Sequence, residues 1–484
     1  MIGLFLFSYL LFPSFPHFTI VLYSFMLLND TLHHTRPKGK SNTMKNLTEG
    51  KPIKLILLFA IPLFIGQLFN LFYSLVDTRI VGSTLGEDAL AAVGATTTVS
   101  DLLVGLLNGF SNGCAIVIST YFGAKDEKHM KKALGGTIVL GIGLSVSISV
   151  LCLLFLNGLL RFLNIDSDIL SQSRAYLGII LAGLLASTLY NMCAAVLRAI
   201  GDSFTPLLFL ILASFLNIFL DYSFILHLHM DVGGAAFATV ISQALSAFLC
   251  FFYIRKKYPS LILSSEDWRI GKEVYRKLFS TGMSMGFMVS FVNLGTVALQ
   301  TSINTFGTNI IVAHTGARKI TSIFMLPFSV LGTTLATYCG QNLGAGKFDR
   351  LRIGIRDTLL VTFAWCLGVM IAANTVSPLL VRAITASEEQ EVISTATLYL
   401  RINTAFYFVP AIICLFRNSM QGFGDSKTPI FSSSLELIGK VAIAFLLAPA
   451  VGYVGIIAAE PIVWFIMVIP LIVNMLRNPL LRRV

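Results

Sequence analysis

The sequence predicts an all-α polytopic membrane protein: twelve transmembrane helices in two six-helix lobes, related by a pseudo-two-fold axis along the membrane normal. Three observations carry this reading. The 484 residues are 55% hydrophobic and only 12% charged, with a mean hydropathy of +0.80, whereas soluble domains carry about twice that charge. From Lys54 onward about twelve apolar stretches of roughly 18–25 residues follow one another, each long enough to cross a bilayer as a helix. Local motifs of the first half recur in the second at a nearly constant offset. Strands are excluded because the apolar runs are long and do not alternate.

Residues 1–43 differ in character from the rest of the chain. MIGLFLFSYLLFPSFPHFTIVLYSFMLLND is rich in Phe and interrupted by Pro13 and Pro16. It lacks the basic start and small-residue cleavage site of a signal peptide. The functional chain is expected to start at Met44, the alternative being one extra, poorly formed span.

The first span is expected over 55–83, after Lys54, and the second over 93–120, after Gly86-Glu87-Asp88. Span three, 133–157, follows the basic stretch AKDEKHMKK, and span four, 172–195, stops before Gly201-Asp202. Span five, 206–226, opens on Pro206, a residue suited to a helix start. Span six, 233–254, ends at Arg255-Lys256-Lys257. The charged stretch 255–277 is expected to link the lobes. Spans seven and eight are then 278–304 and 314–339, and span nine, 355–379, follows GKFDRLRIGIR. Span ten is 393–415, span eleven, 429–448, opens on Pro429, and span twelve, 453–476, ends at Arg477.

With Met44 on the cytoplasmic side, Lys and Arg of the inward loops outnumber those of the outward loops roughly fourfold. Both termini are therefore expected in the cytoplasm of a bacterial cell, the chain lying in the plasma membrane. The net charge of +11 is read through this bias and not as a nucleic-acid surface.

The repeat is read from four landmarks. IGDSFTP (200–206) recurs as FGDSKTP (423–429), Gly123-Ala124 as Gly344-Ala345, Ala175-Tyr176-Leu177 as Leu398-Tyr399-Leu400, and Val232-Gly233-Gly234 as Tyr453-Val454-Gly455. Six spans per half is an even number, so both halves share one orientation, with a cavity expected between them. The expected divisions are an extension 1–43, an N-lobe 44–254, a linker 255–277 and a C-lobe 278–484.

Asp77 stands out because an ionisable group at membrane depth is costly and reads as functional by default. It lies about 8 Å below the outer end of span one, Asp221 about 9 Å deep in span five, and Thr239 about 9 Å deep in span six. Asn217 and Asp221 are i, i+4 and share a face, as do Thr239 and Gln243. Two carboxylates, an amide and a hydroxyl at one level form an oxygen-rich cage suited to Na+ or to a shared proton. A pair of Asp77 with Arg79 is the structural alternative, and i, i+2 spacing opposes it. Asn217–Asp221 could also be a plain interhelical clasp.

IPLFIGQLFNLFYSLVDTRIVG followed by LGEDALAAVGATT resembles the opening of the multidrug and toxic-compound extrusion (MATE) family. The paired GDSxTP loops and LNIFLDYSFI followed by VGGAAFAT add to the likeness, which runs from Met44 to the C-terminus. The resemblance implies an ion site of an Asp on span one, an Asn and Asp four apart on span five and a Thr on span six. Those positions are Asp77, Asn217, Asp221 and Thr239 here. It also implies a hinge at Pro62, fifteen residues before the span-one Asp, about which protonation bends that helix.

The second half departs from the pattern. Lys440 and Ala444 stand where Asn217 and Asp221 stand in the first, so no second cage is expected. Glu436 and Lys440 are i, i+4, which favours a local ion pair, the alternative being a cavity role for Glu436. Gln300 and Asn304 on span seven, with Phe69, Tyr73 and Gln243, complete the candidate cavity or substrate residues. Phe72 is a further aromatic candidate, Glu460 is ambiguous, and Asp101 reads as a polar contact near the entrance.

Other classes are weighed and set aside. GQNLGAGKF has the wrong spacing for a Walker A loop and ends in Phe348, which leaves an ion gradient as the energy source. Gly422-Phe-Gly-Asp425 matches the GxGD of intramembrane proteases, but Asp425 lies at the opposite face from Asp77 and Asp221. The seven cysteines are scattered, which opposes a disulfide framework or zinc site. The expected function is a non-enzymatic antiporter, coupled to Na+ or H+, exporting organic cations by alternating access. No cofactor, no nucleic-acid partner and a monomeric state are expected. A flippase for a lipid-linked oligosaccharide is the runner-up; it would need cavity cations for pyrophosphate.

Overall fold

The computed structural model describes residues 46–163 and 165–482. The expected extension 1–43 and the start at Met44 lie outside the described residues. Span one is Pro52–Leu85, span two Glu87–Gly123, and span three Glu127–Leu154 with the short continuation Leu156–Phe162. Span four is a bent pair, Ser167–Ala182 and Leu184–Ala199, turning by 44°. Span five, Phe204–Tyr222, runs into a π turn, Ser223–His227, and span six is Val232–Lys257.

The second lobe repeats this order. Lys272–Ile303, Thr308–Gly344 and Phe348–Thr375 with Ser377–Thr385 form spans seven to nine. Span ten is bent by 56° between Gln390–Ala405 and Phe408–Gly422. Span eleven, Lys427–Ala442, again runs into a π turn, Ile443–Leu447, and span twelve is Ala448–Arg477. The run Lys427–Arg477 is 51 residues of nearly unbroken helix, about 77 Å at 1.5 Å per residue and far more than one crossing needs. Gly452, at φ 71°, breaks it into two spans. Among the described residues the protein therefore has twelve transmembrane helices in two lobes. Most helices overrun their expected ends, because hydropathy marks the apolar core while helical hydrogen bonding continues past it. The connection between the lobes shrinks accordingly, from the expected 255–277 to the stretch between Lys257 and Lys272.

The repeat reaches the level of single dihedrals. Left-handed backbone falls at Gly86 and Gly307, at Lys125 and Gly346, and at Gly201 and Gly424. In each pair the second residue is 221 or 223 positions after the first. These turns end helices where the chain must reverse, and glycine adopts that conformation at no steric cost. In both GDS turns the aspartate caps the next helix. Asp202 accepts from the Thr205 amide at 3.1 Å and its hydroxyl at 2.7 Å, and Asp425 accepts from the same groups of Thr428 at 3.2 and 2.7 Å. Asp425 is thus occupied as a cap.

Spans two and seven cross at the seam between lobes. A Cβ on Gly113 would lie 2.4 Å from the Thr281 carbonyl oxygen, and one on Gly109 2.7 Å from that of Met285. Small residues let helices approach this closely where no hydrophobic force favours one partner over lipid. At the face that carries the basic loops, spans two and eight meet at Gly123 and Gly344. Below them Gln341 donates to the Ala199 carbonyl at 2.8 Å and accepts from the Leu47 amide at 2.9 Å, tying C-lobe, N-lobe and the segment before span one together. In the connection between lobes, Asp267 accepts from both the amide and hydroxyl of Ser264 at 2.7 Å. Those bonds hold its carboxyl below the usual carboxylate range. Large apolar side chains such as Leu154, Phe155, Phe445 and Leu446 point outward from the bundle, where a soluble protein would place charge.

Candidate functional site

The four expected ion-site residues converge. Span five presents Asn217 and Asp221, one turn apart and both buried, and its α-helical hydrogen bonding gives way to the π turn two residues after Asp221. Such π turns gather at functional sites because they re-aim the residues beside them. Span one brings Asp77 alongside, and its carboxyl is close enough to that of Asp221 to hydrogen-bond with it. The span-one helix continues to Leu85, so Asp77 sits eight residues, about 12 Å, below its end, deeper than the hydropathy profile suggested.

The Asn217 amide is the hub, and its surroundings assign its orientation. Its nitrogen lies 3.0 Å from Asp221 Oδ2 and 3.0 Å from the Tyr73 hydroxyl, while its oxygen accepts from the Thr239 hydroxyl at 3.3 Å and the Thr239 amide at 3.0 Å. One amide thereby ties spans one, five and six. One oxygen of each acid, Asp77 Oδ1 and Asp221 Oδ1, is buried without a hydrogen-bond partner. A buried carboxylate oxygen in that condition is costly unless it carries a proton or meets a cation. Arg79 makes no ion pair with Asp77 among the described residues; it is exposed on the span.

Tyr73, expected only as a pocket aromatic, is therefore a hydrogen-bonding member of the cluster. Tyr176 of span four was missed as a site residue, although it sits close enough to sense both Asp77 and Asp221. Its sequence signal was the repeat landmark at 175–177, which speaks of position and not of polarity.

The C-lobe handles its buried acids differently. Glu436 Oε2 accepts from Arg417 at 3.1 and 3.2 Å, and its Oε1 lies 3.0 Å from Lys440. Lys440 also reaches the Thr296 hydroxyl on span seven at 3.3 Å. The expected i, i+4 pair thus exists as part of a buried triad, and the cavity role considered for Glu436 is replaced by this one. Arg417, nineteen residues away on span ten, was not anticipated. Glu460 on span twelve lies 3.4 Å from Arg318 and accepts from the Tyr399 hydroxyl, beside His314, which bonds Tyr453 at 3.0 Å.

A cavity of about 390 Å³ lies between the lobes, within the size range of small-molecule sites. Pro62 lines it, in the interior of span one. Its wall is amide-rich: Gln67, Asn70, Asn108, Asn112, Asn191 and Asn418 all reach it. The expected cavity residues Phe69, Tyr73, Gln243, Gln300, Asn304 and Glu436 are absent from this wall. Phe69 packs edge-on against Phe215, with centroids 6.5 Å apart. Gln300 donates to Asn304 at 2.8 Å near the far end of span seven, where Asn304 is exposed. Gln243 lies half-buried one turn beyond Thr239, and Phe72 and Asp101 are exposed. Hydropathy cannot tell which face of an apolar helix meets lipid and which meets the seam, hence the difference.

Comparison with known proteins agrees with this architecture. The sequence model described as MatE matches residues 62–223 and 284–446, one stretch in each lobe. The chain is 27% identical over 426 residues to "Probable multidrug resistance protein YoeA" of Bacillus subtilis, covering 86% of this chain and 89% of that one. It is 24% identical to "Multidrug export protein MepA" of Staphylococcus aureus, covering 84% of this chain and 90% of that one. Among solved structures, a MOP superfamily transporter from Pyrococcus furiosus superposes with a TM-score of 0.84 at 23% identity, over 91% of this chain and all of that one.

Proposed function

The chain belongs to the MatE family of transporters, and on that premise we propose that it is a cation-coupled antiporter exporting organic cations by alternating access. Na+ or H+ from outside binds at Asp77 and Asp221, with Asn217, Thr239 and Tyr73 fixing their positions. Neutralising the two acids removes the cost of an unpartnered charge pair and lets span one rearrange about Pro62, where a backbone hydrogen bond is missing. Release of the ion on the side of the basic loops resets the site. In this reading that side is the cytoplasm, both termini lie there, the membrane is the bacterial plasma membrane, and the single chain is the working unit.

One observation carries the proposal: two adjacent carboxyls on different helices, each with a buried oxygen that no protein group satisfies. The buried acids of the other lobe support it by contrast. Glu436 and Glu460 have protein cations beside them, so the acid pair left to an external cation is in the N-lobe. A charge crossing 100 mV is worth about 2.3 kcal/mol, enough with a concentration gradient to drive efflux. The flippase reading is not favoured, since Arg318, Arg417 and Lys440 are each engaged by a carboxylate and a lone Arg198 among the described residues of the cavity wall is too little positive charge for a pyrophosphate.

The test is drug efflux from proteoliposomes under separately imposed Na+ and pH gradients, wild type beside Asp77→Asn. One gradient should drive the wild type and neither the variant. Gradient-driven efflux by Asp77→Asn at the wild-type rate would refute the mechanism.

A further inference from the structure

Among the described residues of the central cavity wall one side chain is charged, and it is positive. Arg198, on the second half of span four, lines the cavity together with Gln67, Asn70, Asn108, Asn112 and Asn418. No Asp or Glu appears among the described residues of that wall. Among the described residues, three other cations in the spans have a carboxylate within 3.4 Å: Arg318 has Glu460, and Arg417 and Lys440 share Glu436. Arg198 has none within ion-pair distance among the described residues. The nearby acid Asp202 is taken by the helix cap at Thr205, by the Tyr258 hydroxyl at 2.8 Å and by Lys257.

What Arg198 does have is an amide chain. It donates to Asn112 Oδ1 at 2.9 Å, and Asn112 in turn donates to Asn108 Oδ1 at 3.1 Å. Each amide turns its oxygen toward the guanidinium and its nitrogen away, so donor polarity is carried a turn further up the wall. A guanidinium has five N–H donors in a planar fork, and this bond uses one of them. Arg198 stands in the last turn of its helix, whose carbonyl end favours a cation, and is only part-buried, so its guanidinium keeps donors for a partner that no carboxylate of the described residues supplies.

We infer that Arg198 is an anion-recognition subsite of the central cavity, taking the carboxylate of an amphiphilic, zwitterionic substrate. The inference rests on the export reading above and narrows its substrate class. One guanidinium flanked by amides matches a single carboxylate, held by two parallel N–H bonds; a pyrophosphate would leave most of its charge unmet. Met285 and Met288 of span seven offer adaptable thioethers on the same wall for an apolar body. A carboxyl-free organic cation gains nothing at this wall and meets repulsion from Arg198. The subsite also adjoins the seam, since the next residue, Ala199, accepts the Gln341 amide of the other lobe.

A matched pair of dyes tests this: rhodamine 110, with a free carboxylate, and rhodamine 123, its methyl ester, share one cationic ring system. Binding to purified full-length protein is followed by fluorescence polarisation with no ion gradient, so the outcome does not depend on coupling. Arg198→Gln is expected to weaken rhodamine 110 by about tenfold or more and to leave rhodamine 123 bound as before or more tightly, with Arg198→Lys in between for rhodamine 110. Retained rhodamine 123 binding shows that the variant is folded. In the wild type, lowering the pH until the dye carboxyl is protonated should erase the preference for the acid, which needs no variant at all. Equal loss for both dyes, no loss for either, a pH-independent preference, or a wild type that does not bind rhodamine 110 would each overturn the assignment.

Discussion

Gly344 packs so tightly against Thr120 that a Cβ placed on it would stand 1.8 Å from the Thr120 carbonyl oxygen. Its repeat partner Gly123 faces the Gln341 carbonyl oxygen at 1.9 Å by the same measure. The two lobes therefore close on one another backbone to backbone at the basic face. Gly344→Ala should force spans two and eight apart there, at about 1–3 kcal/mol against this closed arrangement. In a cysteine-free background, a cysteine at Ser119, buried at this seam, should then react faster with a thiol reagent applied from the basic face. Unchanged labelling together with unchanged efflux would mean that the seam tolerates the methyl group and does not gate.

The acid pair yields a graded set of outcomes. Asp77→Asn and Asp221→Asn each remove one of the two carboxyls and should reduce gradient-driven efflux to the level of protein-free vesicles. Tyr73→Phe removes a single hydrogen bond to Asn217 and leaves both acids. A loss of about fivefold in apparent ion affinity is expected, as for one hydrogen bond near 1 kcal/mol. Ion dependence of transport rate separates the cases: Tyr73→Phe shifts the half-saturating ion concentration, whereas the two Asn variants remove the dependence.

Which of these features could be read from sequence depends on how local they are. Spans, the Asn217–Asp221 pair and the GDS turns depend on residues within a turn or two of each other. Asn217 and Asp221, at i, i+4, therefore stood out before any tertiary structure. Depth counting then brought Asp77 and Thr239 to the same level, because a helix converts sequence distance into height. Rotation about the helix axis is not encoded that simply. Nothing nearby in sequence indicates that Tyr176 leans toward the acids, that Arg417 meets Glu436 across two spans, or that Phe72 faces outward. The bend of span ten, between Ala405 and Phe408, has Pro410 just after it; that of span four has only Gly183.

The connection between lobes should respond to pH through Asp267. Its folded carboxyl lies below the usual value because Ser264 donates to it twice. A depressed carboxylate stabilises the folded connection above the unfolded value near 4, and that contribution is lost as pH falls through the folded value. Hydrogen exchange at 264–269, corrected for the intrinsic rate, should thus quicken as pH drops below about 4. Asp267→Ala should show the faster exchange already at neutral pH. A wild-type profile flat from neutral to strongly acidic conditions would place the stability of this turn elsewhere.

The triad of Arg417, Glu436 and Lys440 separates structure from transport. All three are buried, and the single carboxylate stands between two cations. Glu436→Gln leaves both cations without a counter-charge, and breaking a buried pair in this way costs about 3–5 kcal/mol. The thermal midpoint of the purified protein should fall by several degrees, while dye affinity per folded molecule stays at the wild-type level, since Glu436 does not line the central cavity. Replacing the three together with Met, Leu and Met should recover much of the lost stability, because the charges are then removed as a set and their desolvation no longer has to be offset. Loss of dye binding in Glu436→Gln without a fall in the midpoint would instead place Glu436 among the substrate-facing groups.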